Sequence, residues 1–295
     1  MASSIMATGL TPLRAFAVAE RIEERLRQRE AASITRAQLA ELAEQVISAE
    51  VGPRYGAAFA KWQVVNRLDQ PLVILIGGAT GVGKSTVATQ LASRLGITRI
   101  IPCDGIREVM RSMFSEELMP TLHTSSFDAV HLVRQPLPRG ADPVIIGFRE
   151  QAGAVGVGVH ALIRRAVLEG TDLIVEGAHL VPGLIDPAEF AGAVVVPFII
   201  TVDDSEAHRS HFVARSHDSR ARPPDRYLEF FDNIRRIQRY LKSLALERDV
   251  PIVPSYNLDS TLSAVIELVV SRAMESIPSA PEGLSTNGSR RKTRR

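Results

Sequence analysis

The stretch that decides the fold runs from residue 72 to residue 96 and reads LVILIGGATGVGKSTVATQLASRLG. Its first five residues are apolar and partly β-branched, as expected of a short strand buried on both faces. Its last part places Val87, Leu91 and Leu95 four residues apart before Gly96, a spacing typical of a helix that ends at a glycine cap. The sequence therefore predicts a strand, a glycine-rich loop and a helix in succession.

The loop itself matches the phosphate-binding pattern G-x-x-x-x-G-K-S from Gly78 to Ser85 without a mismatch. In this context backbone N–H groups and the helix N-terminus hold phosphates, Lys84 reaches the β- and γ-oxygens, and the Ser85 hydroxyl holds Mg²⁺. A glycine-rich turn that binds nothing is the alternative, and the flanking strand and helix disfavour it. The predicted nucleotide-binding residues are Gly78, Ala79, Thr80, Gly81, Val82, Gly83, Lys84, Ser85 and Thr86.

Composition points to an ordinary globular protein, with 45% hydrophobic and 23% charged residues. No apolar run approaches the ~20 residues of a membrane span, and the start of the chain lacks the pattern of a secretory signal. A single cysteine, Cys103, excludes an intrachain disulfide and suits the cytoplasm. The net charge of the chain is +2, but five basic residues lie in its last six positions. Without them the remaining chain is mildly acidic. Nucleic-acid binding is therefore not expected, and a disordered basic tail over 279–295 is the only hint of it.

The hydrophobic pattern divides the chain at about residue 69. We expect a loose leader over 1–10 and then helices over 12–29, 36–48 and 53–67, with Thr35 and Gln38 forming a capping box. From 70 to 278 strands and helices alternate, with candidate strands at 72–76, 99–103, 172–176, 194–202 and 250–254. This alternation predicts an α/β domain with a five-stranded parallel sheet flanked by helices, which binds ligands beyond the C-terminal ends of its strands.

The residues after the second predicted strand are candidates for contact with an acceptor. Asp104 is either a plain helix cap or a carboxylate that accepts a proton from a hydroxyl group. Arg107 and Arg111, spaced i, i+4, form either a cationic clamp for an anionic substrate or a solvated face. Their proximity to the phosphate loop favours the clamp. The apolar residues at helical spacing should pack on the sheet; they are Ile106, Val109, Met110 and Met113.

Three later strand ends add further candidates. Glu176 either orders the Mg²⁺ shell or acts on the substrate, and His179 is either structural or substrate-binding. A basic stretch after the fourth strand is either a mobile lid that neutralises the transferred group, with Arg215 as its catalytic arginine, or an RNA-binding or solvated segment. Tyr256 either stacks on the adenine or packs internally. The predicted lid arginines are Arg209, Arg215, Arg220 and Arg222.

Taken together, these motifs resemble the 2-phosphoglycerate kinase family of P-loop enzymes. The resemblance extends from the glycine loop almost to the fifth strand, and its segments are 77–86, 104–111, 117–126, 175–183, 226–228 and 234–238. It implies transfer of the γ-phosphoryl group of ATP, with Mg²⁺, to the hydroxyl of 2-phosphoglycerate. It also implies that residues 1–69 correspond to part of an ATP-cone module. Kinases for another small anionic acceptor, and a nucleotide-dependent switch or binding protein, remain alternatives.

Overall fold

The structure is a computed structural model that describes residues 1–29, 33–66, 68–134, 137, 139–216 and 224–276. Its helices are α1 (Ala2–Met6), α2 (Pro12–Arg27), α3 (Arg36–Glu50), α4 (Pro53–Val65), α5 (Lys84–Leu95), α6 (Cys103–Met113), α7 (Pro143–Glu169), α8 (Ser205–Ser216), α9 (Pro224–Glu229), α10 (Phe231–Glu247) and α11 (Leu258–Glu275). Short 3₁₀ helices span Pro120–His123, Ala129–Leu132 and Pro187–Phe190. The strands are β1 (Leu72–Gly77), β2 (Ile100–Pro102), β3 (Leu173–Glu176), β4 (Val194–Thr201) and β5 (Ile252–Pro254).

The five strands form one parallel sheet in the order β2-β3-β1-β4-β5. Every residue of β1 is buried, as the apolar run at its start predicted. Ile74 and Ile76 share a core cluster with residues of α5 and α11, whereas Val73 and Leu75 share another with residues of α7. Successive side chains of a strand point to opposite faces, so helices cover both faces of the sheet. The predicted α/β fold with a five-stranded parallel sheet is confirmed.

The register of the sheet brings the predicted site residues together. Ile76 of β1 lies beside Glu176 of β3, and Pro102 of β2 pairs with Glu176 on its other side. The glycine loop after β1, the acid that ends β3 and the start of α6 after β2 therefore meet at one edge of the sheet. This is the edge at which parallel α/β sheets bind ligands.

The helical N-terminal region has a core of its own, built from residues such as Ile5, Val18, Ile47 and Phe59. The expected capping box is present, because the Thr35 hydroxyl accepts from the Gln38 amide at 3.2 Å and the Gln38 side chain accepts from the Thr35 amide at 3.0 Å.

The expectation of a loose leader over 1–10 is wrong. Residues 2–6 form α1, which packs against α5, and Ile5 is fully buried. Burial of Ile5, Met6 and Leu10 in the N-terminal core offsets the conformational entropy lost in ordering such a short helix. The predicted tail, residues 279–295, lies outside the described residues, and so does the boundary at 278.

The apolar residues of α6 do not all pack as expected. Ile106 is buried and Met110 is partly buried, but the side chains of Val109 and Met113 are mainly exposed, at 61% and 72%. This helix follows β2, the edge strand of the sheet, and α7 covers only one side of it. Across the described ranges, no helix combines the length and apolar character needed to cross a membrane.

Candidate active site

The glycine loop has the geometry of a phosphate cradle. Gly78, Gly81 and Gly83 have φ angles of 137°, 88° and 92°, in the region that favours glycine, and α5 begins directly afterwards at Lys84. A Cβ atom at Gly78 would overlap the carbonyl of Ile200, so the loop backbone passes close to β4. The Lys84 ammonium donates a hydrogen bond to the Ala79 carbonyl at 2.7 Å, which holds its positive charge over the loop. Such a loop at a helix N-terminus is suited to bind the phosphates of a nucleotide.

A hydroxyl and a carboxylate lie together beside this loop. The Ser85 Oγ–H donates a hydrogen bond to Glu176 Oε1 at 2.7 Å, and the Gly177 amide donates to the Ile76 carbonyl at 3.0 Å. The backbone bond keeps the end of β3 next to the end of β1. Two adjacent oxygen donors fit Mg²⁺, which uses few protein ligands and takes the rest from phosphates and water. No cluster of three or more His, Cys, Asp or Glu side chains that could hold a metal occurs within the described ranges.

Asp104 and Arg107 form a second charged group, on the first turns of α6. Pro102 occupies the cap position of that helix without a side-chain hydrogen bond, so Asp104 is not its N-cap residue. The Asp104 side chain is 62% exposed, and its Oδ1 lies 3.7 Å from Arg107 Nε. Arg107 is largely buried and donates from Nη1 to the carbonyls of Leu122 and Thr124, at 2.8 and 3.2 Å. The arginine is therefore held rigidly, whereas the carboxylate is free to meet a ligand.

Both charged groups line one cleft of about 260 Å³ at the C-terminal edge of the sheet. Its remaining walls contain residues for which the sequence pattern predicts no individual role, although three pairs of them lie in the motifs of the family resemblance, namely Ser125–Ser126, Gly177–Ala178 and Arg226–Tyr227. Residues lining the cleft are Thr80, Gly81, Lys84, Ser85, Pro102, Asp104, Arg107, Ser125, Ser126, Phe127, Glu176, Gly177, Ala178, Arg226 and Tyr227.

Arg226 is the second arginine of the cleft, and it is tied to the opposite wall. Its Nη2 donates to Asp128 Oδ2 at 3.1 Å, and the same oxygen accepts from the Thr124 hydroxyl at 3.1 Å. These contacts join the start of α9 to the segment that carries Ser125 and Ser126. In the sequence, these contacts are indicated only by the two family motifs at 117–126 and 226–228. That the two motifs lie side by side is seen only in the fold.

The helix that begins the predicted lid is attached to the glycine loop. His208 donates from Nε2 to the Thr80 carbonyl at 2.8 Å, and His211 from Nδ1 to the Gly81 carbonyl at 2.9 Å. The Phe212 ring lies where a Cβ atom of Gly81 would be, and it stacks on Tyr227 with centroids 5.1 Å apart. Burial lowers the pKa of His208 to about 4, so the ring is neutral at pH 7. We did not expect these histidines to contact the loop.

Several predicted residues do not line the cleft. Arg111 pairs with Glu108 at 3.4 Å, and the Arg209 guanidinium lies 4.3 Å from the centre of the Phe231 ring. Tyr256 follows β5 and is exposed. Their roles stay predictions. Arg215 lies in α8 with a side chain that is not described, and Arg220 and Arg222 fall outside the described residues.

His179 is buried behind the wall of the cleft, with an exposed fraction of 1%. Its Nε2–H donates to Gln151 Oε1 at 3.0 Å, and burial lowers its pKa to about 4. Direct contact with a substrate would require the ring to turn out of the core, so that role too stays a prediction.

A larger cavity of about 520 Å³ lies away from the glycine loop. It is bounded by one face of β1 and β4, the loop from Leu180 to Pro187, and the turn from Arg248 to Pro251. The walls of this cavity contain no residue of the glycine loop, and neither Asp104 nor Glu176. Size alone does not make it the active site, because the charged groups that phosphoryl transfer requires lie in the smaller cleft.

The fold and the site together define a P-loop kinase. The first strand of a parallel sheet leads into a phosphate-binding loop, an acid from β3 lies beside the serine of that loop, and a second charged pair lines the same cleft.

No protein-family profile matches the chain. Solved structures of a gluconokinase from Sinorhizobium meliloti and a shikimate kinase from Bacteroides thetaiotaomicron align with TM-scores of 0.38 and 0.36, at 16% and 18% identity, over 70% and 69% of this chain and 93% and 96% of theirs. These TM-scores are low, and it is the strand order of the sheet and the glycine loop that define the fold.

Several archaeal proteins are much more similar to this chain in sequence than these solved structures are. The 2-phosphoglycerate kinase of Methanopyrus kandleri is 37% identical over 277 residues, which cover 93% of this chain and 84% of the relative. The enzymes of that name from Methanothermobacter thermautotrophicus and Thermococcus kodakarensis are 37% and 38% identical, over 90% and 89% of this chain and 87% and 88% of theirs. The chain belongs to the 2-phosphoglycerate kinase family and is a phosphotransferase.

Proposed function

We propose that this protein transfers the γ-phosphoryl group of ATP to the free hydroxyl of 2-phosphoglycerate, with ADP and 2,3-bisphosphoglycerate as products. The observation that carries the proposal is that the Ser85–Glu176 pair and the Asp104–Arg107 pair line one cleft. One pair is suited to a metal–nucleotide complex and the other to an anionic acceptor. The name of the relatives then supplies the acceptor.

The nucleotide half is formed by the loop from Gly78 to Thr86. Its backbone N–H groups and Lys84 would hold the β- and γ-phosphates, and Tyr256 is the candidate contact for the adenine. Ser85 and Glu176 would hold Mg²⁺ through their oxygen atoms. When bound, Mg²⁺ neutralises charge on the phosphate oxygens during transfer.

The acceptor half must bind a small molecule that carries both a carboxylate and a phosphate. Arg107 and Arg226 supply two fixed cations in the cleft, and the hydroxyls of Ser125 and Ser126 supply hydrogen-bond donors. The lid arginines Arg209, Arg215, Arg220 and Arg222, together with Arg111, are proposed to complete this half in the liganded enzyme, whereas His179 is proposed to shape it from behind the wall.

The two carboxylates of the cleft have different partners, which suggests a division of roles. Glu176 is engaged by Ser85, so we assign it to the metal side, whereas Asp104 is open to the cleft beside Arg107. In the proposed reaction the acceptor oxygen forms a bond to the γ-phosphorus and the bond from that phosphorus to the bridging oxygen breaks. The hydroxyl proton passes to Asp104, and ADP leaves with the bridging oxygen.

We propose a cytoplasmic location for the enzyme, which the buried free thiol of Cys103 supports because free thiols are typical of a reducing compartment. The small anionic acceptor is its expected partner.

The test is incubation with ATP and Mg²⁺ in the presence and absence of 2-phosphoglycerate, with ADP and bisphosphoglycerate both measured. A kinase forms ADP in proportion to the acceptor consumed, whereas a nucleotide switch hydrolyses ATP slowly whether or not the acceptor is present. Lys84→Ala should abolish transfer while the protein stays folded. Asp104→Asn should lower turnover with nucleotide binding intact, and full turnover in that variant would remove the role assigned to Asp104. A panel of phosphorylated and carboxylated sugar acids tests for a different acceptor.

A further inference from the structure

The side-chain amide of Gln151 is a fully buried polar group in the first half of α7. Its Oε1 accepts a hydrogen bond from His179 Nε2–H at 3.0 Å. Its Nε2 donates to the carbonyls of Thr121 and Thr124, the latter at 3.1 Å. A buried amide is stable only when such bonds are made, and here they reach two segments distant in sequence. Gln151 therefore links α7 to both segments at once.

These two segments form walls of the active-site cleft. His179 follows Ala178, which lines the cleft, and it lies three residues after Glu176. Thr124 precedes Ser125 and Ser126 on the other wall. The carbonyl of Thr124 also accepts from Arg107 at 3.2 Å, so the same atom is shared by Gln151 and the buried arginine of the acceptor half.

The bond between Gln151 and His179 also sets the state of the histidine ring. An amide oxygen can only accept, so Nε2 of His179 carries the hydrogen and Nδ1 is an acceptor. Nδ1 is buried and has no hydrogen-bond partner among the described residues. The ring is thus a fixed, neutral spacer behind the loop that follows β3.

We propose that Gln151 is a positioning residue that sets the distance between the two walls of the acceptor half. In this inference the identity of the acceptor is taken from the proposed function. Gln151 does not line the cleft, and none of its hydrogen bonds described above goes to the glycine loop. Loss of the amide should therefore weaken acceptor binding and spare nucleotide binding.

The test is Gln151→Met, which keeps the length and packing of the side chain and removes its hydrogen bonds. Gln238→Met is the matched control, because Gln238 is also a buried helical glutamine, with bonds to the amide and carbonyl of Val202 at 3.2 and 2.9 Å. We expect the KM for 2-phosphoglycerate to rise about tenfold or more in Gln151→Met, since small displacements of positioning groups have effects of this size. The KM for ATP should change by less than about twofold in both variants.

A second readout does not depend on the identity of the acceptor. Hydrogen exchange should be faster in peptides covering 121–127 and 177–180 in Gln151→Met, but not in Gln238→Met. If Gln151→Met does not fold, Gln151→Ala replaces it, because the vacated space is polar and can take up water. An unchanged acceptor KM, or equal effects in both glutamine variants, would overturn the inference. A wild-type protein that makes no bisphosphoglycerate would overturn the proposed function instead, and the exchange measurement would still decide the role of Gln151.

Discussion

The imidazole of His208 donates a hydrogen bond from Nε2 to the carbonyl of Thr80, at 2.8 Å. This contact joins α8, the helix that leads into the predicted lid, to the phosphate loop 128 residues earlier in the chain. On the other side of the ring, Arg235 Nη1 lies 3.4 Å from His208 Nδ1 and also donates to the carbonyl of Val202 at 2.6 Å. The phosphate loop is thus held by a hydrogen bond from His208, and Arg235 contacts the other nitrogen of that ring.

Replacement of His208 by Leu should weaken nucleotide binding, because the Thr80 carbonyl loses a buried donor. The cost of such an unsatisfied group to stability is about 1–3 kcal/mol. If about half of this cost arises only in the ADP-bound loop geometry, the Kd for ADP rises about tenfold. Calorimetric titration with ADP measures it. His160→Leu is the matched control, since His160 pairs with Glu189 at 2.8 Å and does not line the cleft. Equal ADP affinity in the two variants would contradict the supporting role of His208.

Gly81→Ala should abolish nucleotide binding. Its φ angle of 88° disfavours a side chain, and the added methyl group would overlap the ring of Phe212. Gly96→Ala is the control, because it has a similar φ of 75° but open space around its Cβ position and lies at the end of α5. Each substitution carries a backbone cost of about 1–2 kcal/mol. Thermal unfolding should show that cost in both proteins, and ADP titration should show a loss in Gly81→Ala alone.

Glu176→Gln should raise the Mg²⁺ concentration needed for half-maximal activity by about tenfold or more, because an amide is a weaker ligand than a carboxylate. ADP binding measured in the presence of a chelator should stay as in the wild type. Glu169→Gln is the control, since Glu169 pairs with Arg99 and Arg165 at 2.6 and 2.7 Å. A Mg²⁺ titration curve that is unchanged in Glu176→Gln would remove this residue from the metal site.

Arg226→Gln should raise the KM for 2-phosphoglycerate, since it removes one of the two arginines that line the described part of the cleft. A charge-assisted hydrogen bond contributes about 1.5–3 kcal/mol, so we expect a rise of about tenfold or more. Steady-state kinetics with each substrate varied in turn measures it, and the KM for ATP should remain near that of the wild type. Arg165→Gln on α7, whose arginine pairs with Glu169, serves as the control. A rise in the KM for ATP alone would assign Arg226 to the nucleotide instead.

Stability should fall in mild acid because His179 and His208 are buried in neutral form, each with its pKa lowered to about 4. In the unfolded chain a histidine has a pKa of about 6.5, so unfolding takes up protons between about pH 6.5 and 4. The free energy of unfolding should therefore decrease with falling pH in this range, by at most about 1.4 kcal/mol per pH unit for each histidine. Denaturant unfolding at several pH values measures the slope. His208→Asn should reduce it, and an unchanged slope would show that His208 is not neutral in the native state.

Much of the nucleotide half could be predicted from the chain alone, because its chemistry is local. The strand from Leu72, the glycine pattern and Lys84 with Ser85 are consecutive, and Glu176 ends an apolar run that could hardly be anything other than a strand. The parallel order then brings Glu176 to Ser85. The helix Ala2–Met6 was missed since its stability comes from burial in a core that five residues do not reveal.

The acceptor half was predicted less completely. Arg107 is expected in the cleft and lines it, whereas the sequence shows Arg226 only as a member of the basic stretch after the fourth strand and of a family motif. Gln151 has no sequence signal, because a glutamine inside a helical pattern looks like a solvated residue until its burial is known. In the sequence His208 and His211 are only members of the basic stretch that follows the fourth strand, although both rings contact the carbonyls of the glycine loop.

The sequence by itself therefore determined that this protein has a phosphate-binding loop between a buried strand and a helix, because each of these features depends on neighbouring residues. Only the tertiary structure decided which cations and carboxylates share the cleft with that loop. Arg107, Arg226 and Asp104 come from segments up to 122 residues apart, and their meeting depends on the strand order and on buried contacts such as those of Gln151 and His208. Long-range packing of this kind leaves no periodic pattern in the chain.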